Sequence, residues 1–181
     1  MALITRRGVL AAGGTLAAGL AARKPASAAG PLKGLVMLDP PEPVPDVPFV
    51  DAAGKEHRLS EFRGRGMVVN LWATWCAPCV AEMPALAALS KTLAPDDIAV
   101  LPLSSDRGGA PVVQAWFQDR EIAGLPVLLD PKGALARAWK ARGIPTTVVV
   151  NREGLAVARL EGAADWDSPD AVATVRRLTA G

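Results

Sequence analysis

Residues 67–79 read Met67-Val68-Val69-Asn70-Leu71-Trp72-Ala73-Thr74-Trp75-Cys76-Ala77-Pro78-Cys79, and they decide the fold. Met67 to Trp72 is an apolar run of strand length, the pattern of a strand buried on both faces. It ends at Ala73-Thr74. A helix pattern begins at Pro78 and runs to Leu93, with Met83, Leu86, Leu89 and Leu93 on one face. Proline suits the first turn of a helix, where its missing N–H costs nothing. The two cysteines of the chain therefore sit where a buried strand hands over to a helix.

That location gives each residue a chemical task. Two intervening residues bring both sulfurs within bonding reach on one helical turn. The helix start offers unpaired N–H groups and partial positive charge, which stabilise a thiolate. Thiols so placed have pKa values of roughly 3.5–7.5, against about 8.5 for a free cysteine. Cys76, at the edge, is expected to be exposed and to attack; Cys79, a turn deeper, is expected to resolve the mixed disulfide. Trp75 offers a partner a flat apolar surface. A Cys-x-x-Cys can also be half a metal site or two quiet core thiols. No second pair of ligands exists, since His57 is the only imidazole.

Outward from this stretch, the elements alternate. Phe49-Val50-Asp51 and Glu56-His57-Arg58-Leu59 flank Ala53-Gly54 as a small hairpin. Ile98–Leu103 is a second buried strand, 110–120 a helix with Val113, Trp116 and Phe117 inward, and Val127–Leu129 a short strand. Thr146–Val150 and Ala156–Leu160 flank Arg152-Glu153-Gly154 as an antiparallel hairpin. Asp167 or Ser168 caps a last helix with Val172, Val175 and Leu178 inward. The order predicts an α/β sandwich around a mixed sheet. Trp72, Trp116 and Trp139 fit core positions, His57 the surface, and Asp106-Arg107-Gly108-Gly109 a surface loop.

Gly143-Ile144-Pro145-Thr146-Thr147 opens a strand with a proline, which is awkward unless it makes a tight turn, often with a cis bond. A plain trans proline is the alternative. Were such a turn to pack beside the cysteine pair, the backbone of Ile144 would be free to pair with an extended substrate.

Asn70-Leu71-Trp72-Ala73-Thr74-Trp75-Cys76-Ala77-Pro78-Cys79, with Glu82-Met83-Pro84 after it and Gly143-Ile144-Pro145-Thr146-Thr147 later, resembles the TlpA/ResA-like branch of the thioredoxin superfamily. The likeness spans roughly residues 47–178. It implies a thioredoxin-like three-layer sandwich with a mixed central sheet and an N-terminal β-hairpin. It also implies an extracytoplasmic reductase of protein disulfides, serving cytochrome c maturation, copper-site assembly or thiol repair. Cys76 is then the nucleophile, Cys79 the resolving thiol and Pro145 a cis proline, with Trp75 and Ile144 on the substrate side. Where thioredoxin carries a buried Asp, six residues before the first cysteine, this chain has Asn70, which cannot exchange a proton near neutrality. Glu82 matches an acid found near the active site in this branch. If buried, it would exchange a proton with Cys79; otherwise it is a first-turn charge favoured by the helix dipole or a solvated one.

Ahead of the domain, Thr5-Arg6-Arg7-Gly8-Val9-Leu10-Ala11 precedes an apolar Gly/Ala-rich run to about Ala22, and Ala26-Ser27-Ala28 is a small-residue cleavage pattern. Residues 1–28 thus read as a cleaved export signal resembling the twin-arginine type. A retained leader would instead anchor the chain. Residues 29–46, rich in proline, read as a solvated linker, and 47–181 as the thioredoxin-like domain. The formal charge of the chain is +2, and the leader contributes Arg6, Arg7, Arg23 and Lys24. The remainder is near neutral, which argues against nucleic acid as a partner. Expected partners are exported proteins with disulfides and a membrane electron donor, with the chain working as a monomer and needing no cofactor or metal. Two alternatives differ in chemistry. A copper chaperone would bind Cu(I) through both thiolates, yet no histidine follows Cys79. A peroxiredoxin would need Pro and Thr or Ser where Val69 and Ala73 stand.

Overall fold

The structure, a computed structural model, describes residues 32–180. The expected export signal lies outside the described residues. No helix among those described is long and apolar enough to cross a membrane.

Eight strands form one mixed sheet in the order β1-β8-β7-β4-β5-β6-β2-β3. Its centre is β4 (Gly66–Trp72), parallel to β5 (Ile98–Ser104) and antiparallel to β7 (Thr146–Val150). Every residue of β4 is buried, as its unbroken apolar run requires. Its side chains alternate between two cores. Val68 and Trp72 pack with the buried faces of α1 (Ala77–Leu93), α2 (Gly109–Asp119) and α4 (Pro169–Thr179). Met67, Val69 and Leu71 pack with Leu59, Leu135 and Trp139 on the opposite side, where a short helix α3 (Ala134–Ala138) lies. The result is the expected three-layer arrangement. Asn70 lies in β4 between Val68 and Trp72 at the same period, so the alternation alone aims its amide at α1.

The hairpin expected near residue 50 is present as β2 (Phe49–Asp51) and β3 (Glu56–His57), while β6 is only Leu128–Leu129. The helix α3 is five residues long and carries no apolar period long enough to read, which is why the sequence did not announce it. Ser168, rather than Asp167, caps α4, its Oγ accepting from the Ala171 N–H.

One expectation is corrected here. The Pro-rich stretch is not a solvated linker throughout: Leu35–Pro43 forms β1, antiparallel to β8 (Leu155–Glu161). Proline is tolerated because β1 is an edge strand, with no neighbour on its outer side requiring an N–H. Pairing lapses between Met37 and Glu42, around Pro40 and Pro41, and resumes after them. The domain thus begins upstream of residue 47.

His57 is less free than a surface residue. Its Nε2 lies 3.1 Å from Asp51 Oδ2 and its Nδ1 3.1 Å from Glu61 Oε2. The hydrogen bond with Asp51, then that with Glu61, raises the His57 pKa above its ordinary value. A raised pKa means the folded state holds the proton more tightly. The stabilisation is full below about pH 6.5 and is lost as pH rises through the folded-state value. Amide-exchange protection across β2 and β3 should therefore fall as pH rises above about 6.5, and His57→Ala should flatten that dependence.

Candidate active site

The strand-to-helix junction is held from the side. Asp106, just past β5, is buried, and its carboxylate accepts from the Thr74 N–H (2.9 Å), the Thr74 hydroxyl (2.7 Å) and the Ser104 hydroxyl (2.7 Å). The reading of Asp106 as part of a surface loop is thereby corrected. Its short side chain turns inward because the Thr74 loop offers two donors that water would otherwise satisfy. The loop below Trp75 is pinned at Thr74, and Trp75 itself projects outward, 71% exposed.

Cys76 is the N-cap of α1, in extended conformation, and its Sγ accepts from the Cys79 N–H at 3.3 Å. Pro78 sits in the first turn, as its lack of an N–H permits. Cys76 and Cys79 form a disulfide, with Cα atoms 5.3 Å apart. Cys79 is fully buried. Cys76 is only 6% exposed, a correction to the expectation of an open edge. The turn carrying Ile144 comes down beside it, placing the Ile144 carbonyl oxygen 3.7 Å from Sγ. The Ile144–Pro145 peptide bond is cis, and the Pro145 carbonyl accepts from the Gly162 N–H. The Ile144 N–H donates to no group among the described residues. Trp75, Cys76, Ile144 and Pro145 are thus collected at one end of the sheet, from positions nearly 70 residues apart.

Glu82 is on the second turn of α1, three residues beyond Cys79, and only 4% exposed. Neither the first-turn nor the solvated reading applies. Oε1 accepts from Asn70 Nδ2 at 2.9 Å; Oε2 accepts from the Ala164 N–H at 3.0 Å and from Trp166 Nε1 at 2.9 Å. Burial pushes the carboxyl pKa up, against the pull of these three donors, which favour the charged form. Asn70 Nδ2 also donates to Thr147 Oγ1 at 2.9 Å, whereas its Oδ1, fully buried, has no partner among the described residues. The amide therefore joins Glu82 to the strand that follows Pro145.

Sequence reasoning missed the contributions of Trp166, Ala164 and Thr147. The one available signal was Trp166 itself, a large aromatic between Asp165 and Asp167 just ahead of a helix cap, where solvated loops rarely place an indole.

The family model described as AhpC/TSA family matches residues 40–158, well over half of the chain. The chain belongs to the AhpC/TSA family. Within its reach, the chain is 31% identical over 110 residues to the thiol-disulfide oxidoreductase ResA of Geobacillus kaustophilus, covering 61% of this chain and 62% of that protein. It thus spans less than two thirds of that relative's length. The pneumococcal exposed lipoprotein thioredoxin Etrx1 of Streptococcus pneumoniae superposes with a TM-score of 0.61 at 28% identity, over 74% of this chain and 98% of that one. A secreted thiol-disulfide isomerase from Corynebacterium glutamicum shares the fold, with a TM-score of 0.66 at 20% identity, over 80% and 93%. This AhpC/TSA family chain accordingly has the thioredoxin-like fold that the resemblance of its motifs implied.

Proposed function

We propose that the chain is an extracytoplasmic thiol–disulfide oxidoreductase that reduces disulfides of exported proteins. The observation that carries the reading is the Cys76–Cys79 disulfide, closed across the first turn of α1 beside exposed Trp75 and the Ile144–Pro145 turn. In the dithiol form, the Cys76 thiolate attacks a substrate disulfide, forming a mixed disulfide and releasing one substrate thiol. Glu82 takes the proton of Cys79, and the Cys79 sulfur then attacks Cys76 Sγ. The second substrate thiol leaves, and the Cys76–Cys79 disulfide remains. Two electrons and two protons pass to the substrate in each cycle. The unpaired Ile144 N–H, with its carbonyl beside the sulfur, would hold an extended substrate segment while Trp75 covers its apolar side.

Residues 1–28 as an export signal would place this chemistry outside the cytoplasm, in keeping with the exposed lipoprotein thioredoxin of Streptococcus pneumoniae, 28% identical to this chain. There, no glutathione buffer recharges the pair, so a membrane electron donor is the fitting source of electrons. Cytochrome c precursors and copper-site proteins are the substrate classes that the ResA-like resemblance favours. Peroxide reduction fits poorly, because fully buried Val69 and Ala73 stand where it would need a proline and a hydroxyl.

The test is stoichiometric. The reduced protein, mixed with insulin at neutral pH, should lose both thiols as insulin chains separate, one disulfide reduced per chain. Retention of both thiols against insulin and against an oxidised apocytochrome peptide would overturn the reading.

A further inference from the structure

We propose that Trp166 is a positioning residue for the Glu82 carboxylate: its indole N–H, together with the Ala164 N–H, clamps one carboxylate oxygen and thereby sets how readily Glu82 serves Cys79. The proposal rests on the reading of Glu82 as the proton partner of Cys79.

The geometry is specific. Trp166 is fully buried, and both clamp donors meet the same oxygen, Oε2, at 2.9 and 3.0 Å. They come from the connection between β8 and α4, which is itself fixed at both ends. Gly162 opens it at a φ of 103°, in the left-handed region, and donates its N–H to the Pro145 carbonyl at 2.9 Å. Ser168 closes it, its hydroxyl donating to the Asp165 carbonyl at 2.7 Å. One short segment therefore touches both the turn beside Cys76 and the acid behind Cys79.

The opposite dependence, a carboxylate present only to satisfy a buried indole, does not fit this protein. Trp72 and Trp139 bury their Nε1 groups with no partner among the described residues, so the fold accommodates unpaired indoles. A buried carboxylate facing no cation depends far more on its donors. Of the elements around Glu82, α1 contributes titratable Cys79, and the β8–α4 connection contributes Asp165. Asp165 lines, with Ala81, Ala85, Ala163 and Ala164, a cleft that opens onto Glu82. β4 and β7 contribute Asn70 and Thr147, which do not titrate. Glu82 itself lines that alanine-walled cleft, and neither cysteine does.

The experiment follows the second step alone. Reduced protein is treated with one equivalent of 5,5′-dithiobis(2-nitrobenzoate), and release of the Cys76-bound thionitrobenzoate by Cys79 is timed across pH. Trp166→Phe keeps a ring and removes the donor, so the rising limb should move up by about one pH unit, as expected for one lost hydrogen bond to a charged group. In a Glu82→Gln background the same change should move nothing. A lower melting temperature with the limb unmoved would make Trp166 merely structural and overturn the proposal. If Glu82→Gln alone left the limb in place, the proton role of Glu82 would fall, and that of Trp166 with it. Should the Phe variant not fold, 3-benzothienylalanine at position 166 preserves the ring shape without the N–H and is read in the same way.

Discussion

Cys76→Ser should lower insulin reduction by at least about 10³-fold, the scale of loss when a covalent nucleophile is removed. A serine hydroxyl at the same N-cap still accepts from the Cys79 N–H, so α1 should keep its start and the fold its melting temperature to within a few degrees. The loss is therefore chemical. Cys79 cannot substitute, because it is fully buried and no substrate disulfide can reach it. Cys79→Ser should behave differently. Cys76 would still attack, but nothing would displace the substrate, and mixed disulfides should accumulate one per chain, visible as a mass shift that reductant reverses. If both variants reduced insulin at the wild-type rate, the thiol pair would have no part in the reaction.

Glu82→Gln should slow the attack of Cys79 on the mixed disulfide about 10²-fold near neutral pH and remove the pH limb, the lower end of what general acid–base catalysis contributes. It should do so without damage to the fold. The Gln carbonyl can take the donors from Ala164 and Trp166, and its amide can face Asn70, whose side chain need only turn over to present its unpaired Oδ1. Stability should respond in the opposite sense to activity. Burial raises the Glu82 pKa in the folded chain, so the native state binds its proton more tightly than the unfolded one. Wild-type stability then falls as pH rises from about 4.5, the unfolded value, through the folded value. Glu82→Gln should lack that fall, melting above wild type at pH 8 and with no such gain at pH 4. Melting curves at the two pH values check this, and parallel curves would show that folding leaves the carboxyl's proton affinity unchanged.

Much of the site was legible because it is built on regular periods. The run Met67–Trp72 read as a buried central strand, although the side that Asn70 faces became plain only with the helix packed against it. Glu82, three residues past Cys79 on the same helix, was a candidate partner for it, but its burial was left open. Pro145 before a strand marked a turn. What escaped depends on contacts between distant segments. Asp106 sits two residues ahead of the Gly108-Gly109 pair in a stretch that reads as loop, and only the approach of Thr74 in three dimensions turns it inward. Trp166 meets Glu82 across 84 residues, a separation no local pattern encodes. The prolines at 40, 41 and 43 misled because their effect depends on whether a strand is central or at an edge, and strand order is a property of the whole sheet.

The edge strand carries one more implication. Through the pairings Leu35 with Leu160, Leu160 with Thr147 and Thr147 with Asn70, the start of β1 lies in the row of residues behind the reactive sulfurs. The described chain, from Leu32 onward, thus enters the sheet at the rim that carries the cysteine pair, and Leu32 itself packs in the same core as Cys76 and Cys79.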